Sequence, residues 1–376
     1  MRSSAQLLRD LIALPSVNPA FVPANDPQAG EHRVANHLAS VAGQGGLDID
    51  FQEVFPNRRN LFAHLRPSGK IARRIILAPH MDTVSLASAA QLNPVEKNGR
   101  LYGRGACDTK GSVAAMLTAL LQVAESGRRP ASTEIVFIGL IDEENNQSGS
   151  RAVAKRGLKA DLAIVGEPTR LQVVTAHKGD LWLSLESRGK AAHGARPELG
   201  KNAVHEMARI VDLLETIYRR QLKKRTHPLL GHATINVGSI RGGTQPNIVP
   251  DRCEISIDRR TLPGETEAGV RREILTLLKA HGLAARIGNN KGADCLALET
   301  SSDLPLVQQL LGVARQTKPV GVHYFCDAAV LSAGGIPSIV FGPGDIAQAH
   351  TADEWISLTS LERGTALLTR FLRSLD

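Results

Sequence analysis

Residues 74–82 read RIILAPHMD, a short aliphatic run that ends in a histidine and an aspartate. The same rhythm returns in residues 134–144, EIVFIGLIDEE, and in residues 161–167, DLAIVGE. It appears again in residues 338–341, SIVF, before a Gly-Pro-Gly loop that leads to His350. Continuous apolar runs of this length, rich in Ile and Val, are the signature of strands buried on both faces. They predict strands over 74–79, 134–141, 161–165 and 338–341 of an α/β sheet. In such sheets ligands collect beyond the carboxyl ends of the strands. His80 and Asp82, Glu143 and Glu144, Glu167 and His350 are therefore expected to converge. Any one of them alone reads as a solvated loop residue or a helix cap; their coincidence at four strand ends argues for a site.

Working outward, alternating strands and helices fill 1–177 and 291–376, and the stretch between has a complete pattern of its own. The insert, 178–290, predicts a strand at 181–186, a helix at 202–222, strands at 234–240 and 253–258, a helix at 266–280 and a strand near Ala284. That order, βαββαβ, is ferredoxin-like. In the outer segments, Val113, Met116, Leu117, Leu120 and Leu121 form the apolar side of a helix that begins after Gly111 and stops at Gly127. Near the N-terminus, Leu7, Leu8, Leu11, Ile12 and Leu14 form an amphipathic turn pattern ended by Pro15. Arg9 and Asp10 break any run long enough for a signal or membrane helix, so a cytoplasmic location is expected.

The 376 residues are 42% hydrophobic and 22% charged, an ordinary composition for a chain of two or three domains. The cysteines at 107, 253, 295 and 326 contain no Cys-x-x-Cys pair, so reduced thiols are expected. A net charge of +8 and a pI near 9.5 raise nucleic acid as a partner. Yet Lys and Arg are spread along the chain, and aromatic residues are only 3%, too few for a stacking platform. The one dense run, Arg219, Arg220, Lys223, Lys224 and Arg225, closes a predicted helix and reads as a solvated face. A positive field also attracts small carboxylates.

Asp108 sits in Tyr102-Gly-Arg-Gly-Ala-Cys-Asp-Thr-Lys-Gly-Ser112, a glycine-rich loop before a helix. Lys110 precedes Gly111, the reverse of the phosphate-loop order, so phosphate binding is disfavoured. Asp108 can cap the helix, or its two oxygens can bridge two cations. For the adjacent Glu143 and Glu144, extended backbone would send the side chains to opposite sides. One can then ligate a metal while the other accepts a proton from water. An acidic loop continued by Asp142 and Asn145 is the alternative.

Taken together and in order, His80-Met-Asp82, Gly105-x-x-Asp108-x-Lys-Gly111, Asp142-Glu-Glu144, Gly166-Glu-Pro168 and Ala349-His350 resemble the M20 metallopeptidase and deacylase family over nearly the whole chain. The resemblance implies a zinc-peptidase-like α/β catalytic domain with an inserted ferredoxin-like lid that also dimerises. It implies that His80 and Glu167 bind one divalent metal, that Glu144 and His350 bind a second, and that Asp108 bridges them. Glu143 becomes the general base, and Asp82 the carboxylate that holds the His80 ring. Two imidazoles and three carboxylates suit zinc best, with cobalt or manganese able to occupy the same set.

In the insert, Ala192-His193-Gly194 with Pro197, Gly200, Asn202 and Ala203 is similar to the family's substrate-stabilising histidine segment. His193 is then an oxyanion donor, often delivered across a dimer in this family. Gly243-x-x-Pro-Asn247 and Asp258-x-Arg260-x-x-Pro-Gly264 match segments whose Asn and Arg contact substrate, although Arg260 could instead pair with Asp258 or sit in solvent. Gly342 joins them as a substrate-side residue.

Ala176-His-Lys-Gly179 and the loop from Gly342 to His350 look most like the acetylornithine deacetylase branch; the related succinyl-diaminopimelate desuccinylases share every metal residue. Cys107, Ser112 and Cys326-Asp327 depart from the common pattern, which keeps aminoacylase, dipeptidase and carboxypeptidase activity open. The expected protein is a homodimeric hydrolase of the N-acyl amide bond of a small N-acyl amino acid, with neither nucleic acid nor membrane as partner. A non-catalytic basic binding protein is the reading from a different class, and it leaves the acidic cluster without a purpose.

Overall fold

In the computed structural model, which describes residues 3–127 and 129–376, the four apolar runs form the strands Arg73–Pro79, Thr133–Gly139, Leu162–Gly166 and Ser338–Val340. Every residue of Thr133–Gly139 and of Leu162–Gly166 is buried, which is why these segments read as unbroken apolar runs. Thr133–Gly139, Arg73–Pro79, Leu162–Gly166 and Ser338–Val340 are successive neighbours, each parallel to the next. Their carboxyl ends therefore share one side. Arg58–Leu65 and Asp48–Phe55 extend the sheet antiparallel beyond Thr133–Gly139.

The second strand stops at Gly139 rather than at the expected 141. A Cβ there would lie 2.7 Å from Met81 Sδ, and the next residue, Leu140, bridges to His80 instead. The helix Lys110–Glu125 is followed by Gly127 at φ +67, the left-handed position that ends helices. It is buried almost all round because Ser4–Ile12 and Leu358–Arg373 pack on the sides that the sheet leaves open. Leu7, Leu8 and Leu11 of the first and Leu368, Phe371 and Leu372 of the last join Met116, Leu117 and Leu120 in one core.

The second unit has its own four-stranded antiparallel sheet in the order Thr234–Gly242, Arg252–Thr261, Gly179–Arg188, Arg286–Asn289. Two helical segments complete βαββαβ: Ala203–Leu213, which continues through a π turn into Arg219–Lys223, and Glu267–Ala280. Cys253, Ile255 and Ile257 alternate inward against Leu183, Leu185, Met207 and Ile274. Within the basic run at the helix end, Arg219 pairs with Glu215 at 3.1 Å and Arg225 with Glu273 at 2.7 Å.

This unit comprises Ala176–Glu299 and Gly321–Phe325, a wider span than 178–290. The added segments are tied to its strands and turns. Asp180 N–H donates to Cys295 O (2.8 Å), Lys291 Nζ donates to Asp180 Oδ2 (3.1 Å), and Gly321 packs so closely that a Cβ would lie 2.6 Å from Leu229 O. Among the described residues no helix is long and apolar enough to cross a membrane.

Candidate metal centre

His80 follows Pro79 at the end of its strand and is 2% exposed. Its Nε2 lies 3.1 Å from Asp108 Oδ1 and 3.8 Å from Glu167 Oε1. His350, held at φ +62, places its Nε2 3.3 Å from Asp108 Oδ2 and 3.1 Å from Glu144 Oε2. The two oxygens of Asp108 thus face two different imidazoles. Donor atoms of His80, Asp108 and Glu144 lie within 4.8 Å of one another, a spacing that can hold a metal ion. All five residues expected as ligands are brought together.

The donor set fits divalent cations. Glu144 Oε1 and Glu167 Oε1 are buried without a hydrogen-bond partner, a costly state for carboxylate oxygens that a cation relieves. Burial, and then the neighbouring Asp108, lift Glu144 to about 7. Burial also pushes Glu167 and Glu143 well above the usual carboxylate range. Despite burial, His80 is held well above the ordinary imidazole range by Asp108, Asp82 and Glu167, and hydrogen bonds to Asp108 and Glu144 lift His350 to about 10. Divalent cations held by these atoms would supply the positive charge that protons otherwise bring, and would invert this balance.

Asp82 is fully buried and contacts more than one group. His80 Nδ1 faces it, 3.0 Å from its backbone oxygen and 3.4 Å from Oδ1. Oδ1 also accepts the N–H of Glu143 and Oδ2 that of Glu144, both at 3.1 Å. The extended backbone expected at Glu143-Glu144 is accordingly a turn. Successive amides of an extended chain point in opposite directions, whereas here both meet one carboxylate. Asp142 at φ +65 begins the reversal, and Gln147 N–H donates to its carbonyl (2.6 Å). Asn18, which the sequence did not single out, completes the arrangement by donating to Asp82 Oδ2 (2.8 Å) and Asp142 Oδ1 (3.0 Å). Asp327 is also buried. It accepts from Ser150 Oγ (2.5 Å) and is raised to about 7 by that burial.

Gly342 is placed against Glu167: a Cβ would stand 2.6 Å from Glu167 O and 2.4 Å from Ser112 Oγ. Gly342→Ala is therefore expected to displace the Glu167 backbone, costing about 1–3 kcal/mol of stability and weakening metal binding. Thermal unfolding of metal-free protein and a zinc titration measure the two effects. Wild-type values in both would show that the segment yields freely.

In the second unit, His193 bridges to Ile248, and Gly194 N–H donates to Asn247 O at 2.7 Å, so the His193 and Asn247 segments lie side by side. His193 Nδ1 accepts the Ala195 N–H (3.1 Å). The neutral ring must then carry its proton on Nε2, which leaves Nε2–H as a donor. Arg260 holds Asp258 with both arms of its fork, at 2.9 Å each, and Asp180 Oδ1 lies 3.6 Å away. The pairing with Asp258 is thus realised.

With this geometry in view, comparison with known proteins gives a consistent result. Residues 76–374 match the family described as Peptidase family M20/M25/M40. An acetylornithine deacetylase of Myxococcus xanthus is 34% identical over 326 residues, 83% of this chain and 82% of that protein. An acetylornithine deacetylase of Proteus mirabilis is 31% identical over 387 residues, 98% of this chain and 96% of that protein. Among solved structures, aminopeptidase PepT from Bacillus cereus superimposes with a TM-score of 0.79 at 22% identity, covering 98% of this chain and 97% of its own.

Proposed function

The chain belongs to peptidase family M20/M25/M40, and from that premise we propose that it is a two-metal hydrolase of the N-acyl amide bond of a small N-acyl amino acid, N-acetylornithine or a close relative. The observation that carries this reading is Asp108, whose Oδ1 faces His80 and whose Oδ2 faces His350. That is the disposition a carboxylate needs to bridge two cations. His80 and Glu167 would hold one ion and Glu144 and His350 the other. Zinc matches the two imidazoles and three carboxylates, with cobalt or manganese as substitutes.

When bound, such a pair of ions polarises the acyl carbonyl and acidifies water. The chain's own groups do the rest. Glu143 takes a proton from the attacking water and hands it to the departing amine, and Asp82 fixes its backbone for that purpose. Asp82 also orients the His80 ring. His193 offers Nε2–H to the developing oxyanion, and Asn247 and Arg260 contact the substrate, Arg260 by exchanging Asp258 for a substrate carboxylate. Dimerisation through the second unit and a cytoplasmic location belong to the same reading; the four buried cysteines form no disulfide among the described residues, which suits a reducing compartment. The names of the curated relatives favour a deacetylase. The fold is equally that of an aminopeptidase, which keeps peptidase activity as the second reading.

Elemental analysis of zinc-supplemented protein is expected to find about two ions per chain, as two-metal sites require. A panel of N-acetylornithine, N-acetylcitrulline, N-succinyl-diaminopimelate and a dipeptide is expected to give the highest kcat/KM for N-acetylornithine. Protein that retains no metal would return the chain to a binding role, and preference for the dipeptide would make it a peptidase.

A further inference from the structure

Glu354 lies four residues after His350, directly before the strand Trp355–Ser357, and is 1% exposed. Its Oε1 accepts the backbone N–H groups of Cys107 (2.8 Å) and Asp108 (3.0 Å). Its Oε2 accepts Gly105 N–H (2.9 Å) and Arg104 Nη1 (2.8 Å). Its carbonyl accepts Gly103 N–H at 3.0 Å. A carboxylate offers about four acceptor positions, so N–H donors saturate this one and leave no oxygen lone pair for a cation. All four donors come from the single loop that ends on Asp108. Trp355–Ser357 in turn pairs with Arg100–Tyr102, the strand that enters this loop, with Trp355 opposite Tyr102. On the loop's other side, Lys110 is buried and donates to Leu11 O (3.0 Å) and Leu14 O (2.7 Å). Its stem fills the space beside Gly105, where a Cβ would come within 2.9 Å of Lys110 Cδ.

We propose that Glu354 is the positioning residue of the metal centre: by clamping the backbone of residues 104–108 it aims the two oxygens of Asp108, and it keeps Asp108 in register with His350, which the same short segment carries. This rests on the two-metal reading above. A rotation of the Asp108 backbone would move both oxygens at once and so loosen both ions, which makes the bridging ligand the one whose backbone most needs fixing. Glutamine at 354 presents one oxygen in place of two, so two of the four donors would face an NH2 group.

The test is zinc affinity, measured by competition with a chromophoric chelator, together with thermal unfolding of the metal-free proteins. Glu354→Gln is expected to bind zinc about 10–100-fold more weakly, the usual scale for a group that orients ligands, and also to lose metal-free stability, because two buried donors lose their acceptor. Arg104→Met, which removes one donor of the four, is expected to fall near the lower end of that range. Thr369→Val serves as a control. It deletes hydrogen bonds to Gln122 Oε1 (2.7 Å) and Thr365 O (2.8 Å) in the Leu358–Arg373 helix, and is expected to lose stability but not zinc affinity. Wild-type affinity in Glu354→Gln overturns the proposal, as does an equal loss of affinity in Thr369→Val. Should Glu354→Gln fail to fold, Arg104→Met decides by the same criterion. Wild-type protein that binds no zinc sinks the two-metal reading itself, an outcome distinct from tight binding in all variants, which sinks the clamp alone.

Discussion

Glu143→Gln is expected to lower kcat by about 10²–10⁴-fold, the scale on which a general base contributes, while still retaining about two ions per chain. Glu144→Gln is expected to lose metal. The two residues are adjacent, yet their surroundings separate them. Glu144 Oε2 lies 3.1 Å from His350 Nε2, and its Oε1 is buried without a partner, the situation of a ligand. Glu143 stands beside that ligand, and Asp82 holds both residues through their backbone N–H groups rather than through their side chains. Exchanging either carboxylate for its isosteric amide therefore leaves the turn intact, and a difference between the variants reports on side-chain chemistry. Steady-state kinetics with elemental analysis of the same preparations measure both quantities. Equal metal loss in the two variants would remove the division of labour between base and ligand.

The strands were legible because burial on both faces leaves no room for polar residues, so Thr133–Gly139 and Leu162–Gly166 announce themselves as runs. The ligands were legible because parallel strands put His80, Glu144 and Glu167 at one end of a sheet whatever their separation along the chain. The second unit was legible from the alternation of Cys253, Ile255 and Ile257. What could not be read depends on partners that carry no signature in the sequence. Glu354 binds backbone N–H groups, which every residue but proline possesses, and its only trace is its position four residues after His350. The turn at Glu143-Glu144 is imposed by Asp82, some 61 and 62 residues earlier. The widening of the second unit to Glu299 hangs on contacts such as Lys291 with Asp180, one choice among many acids for that lysine. Arg260 faced two partners of equal chemistry, a substrate carboxylate and Asp258, and only geometry shows that Asp258 occupies its fork.

His193→Ala is expected to lower kcat by about 10²–10³-fold, the cost of losing one oxyanion donor, with KM changed far less and metal content unchanged. The motivating observation is the tautomer. Because Nδ1 accepts the Ala195 N–H, the ring presents Nε2–H, a donor suited to an oxygen that becomes negative only as the tetrahedral intermediate forms. Interactions that strengthen only in the transition state appear in kcat rather than in KM. The segment that carries the ring is braced by the His193–Ile248 bridge and by Gly194 N–H on Asn247 O, which do not use the imidazole, and alanine removes only the acceptor of the exposed Ala195 N–H, so the segment should stay in place. His193→Gln, which offers an amide N–H at similar reach, should recover part of the lost kcat. If the ring acts on the partner subunit's site, mixing His193→Ala with Glu143→Gln protein should restore activity in heterodimers, where one site receives both intact groups. Subunit exchange verified by mass without recovery would confine the donor to its own chain, whereas an unchanged kcat in His193→Ala would remove the oxyanion role altogether.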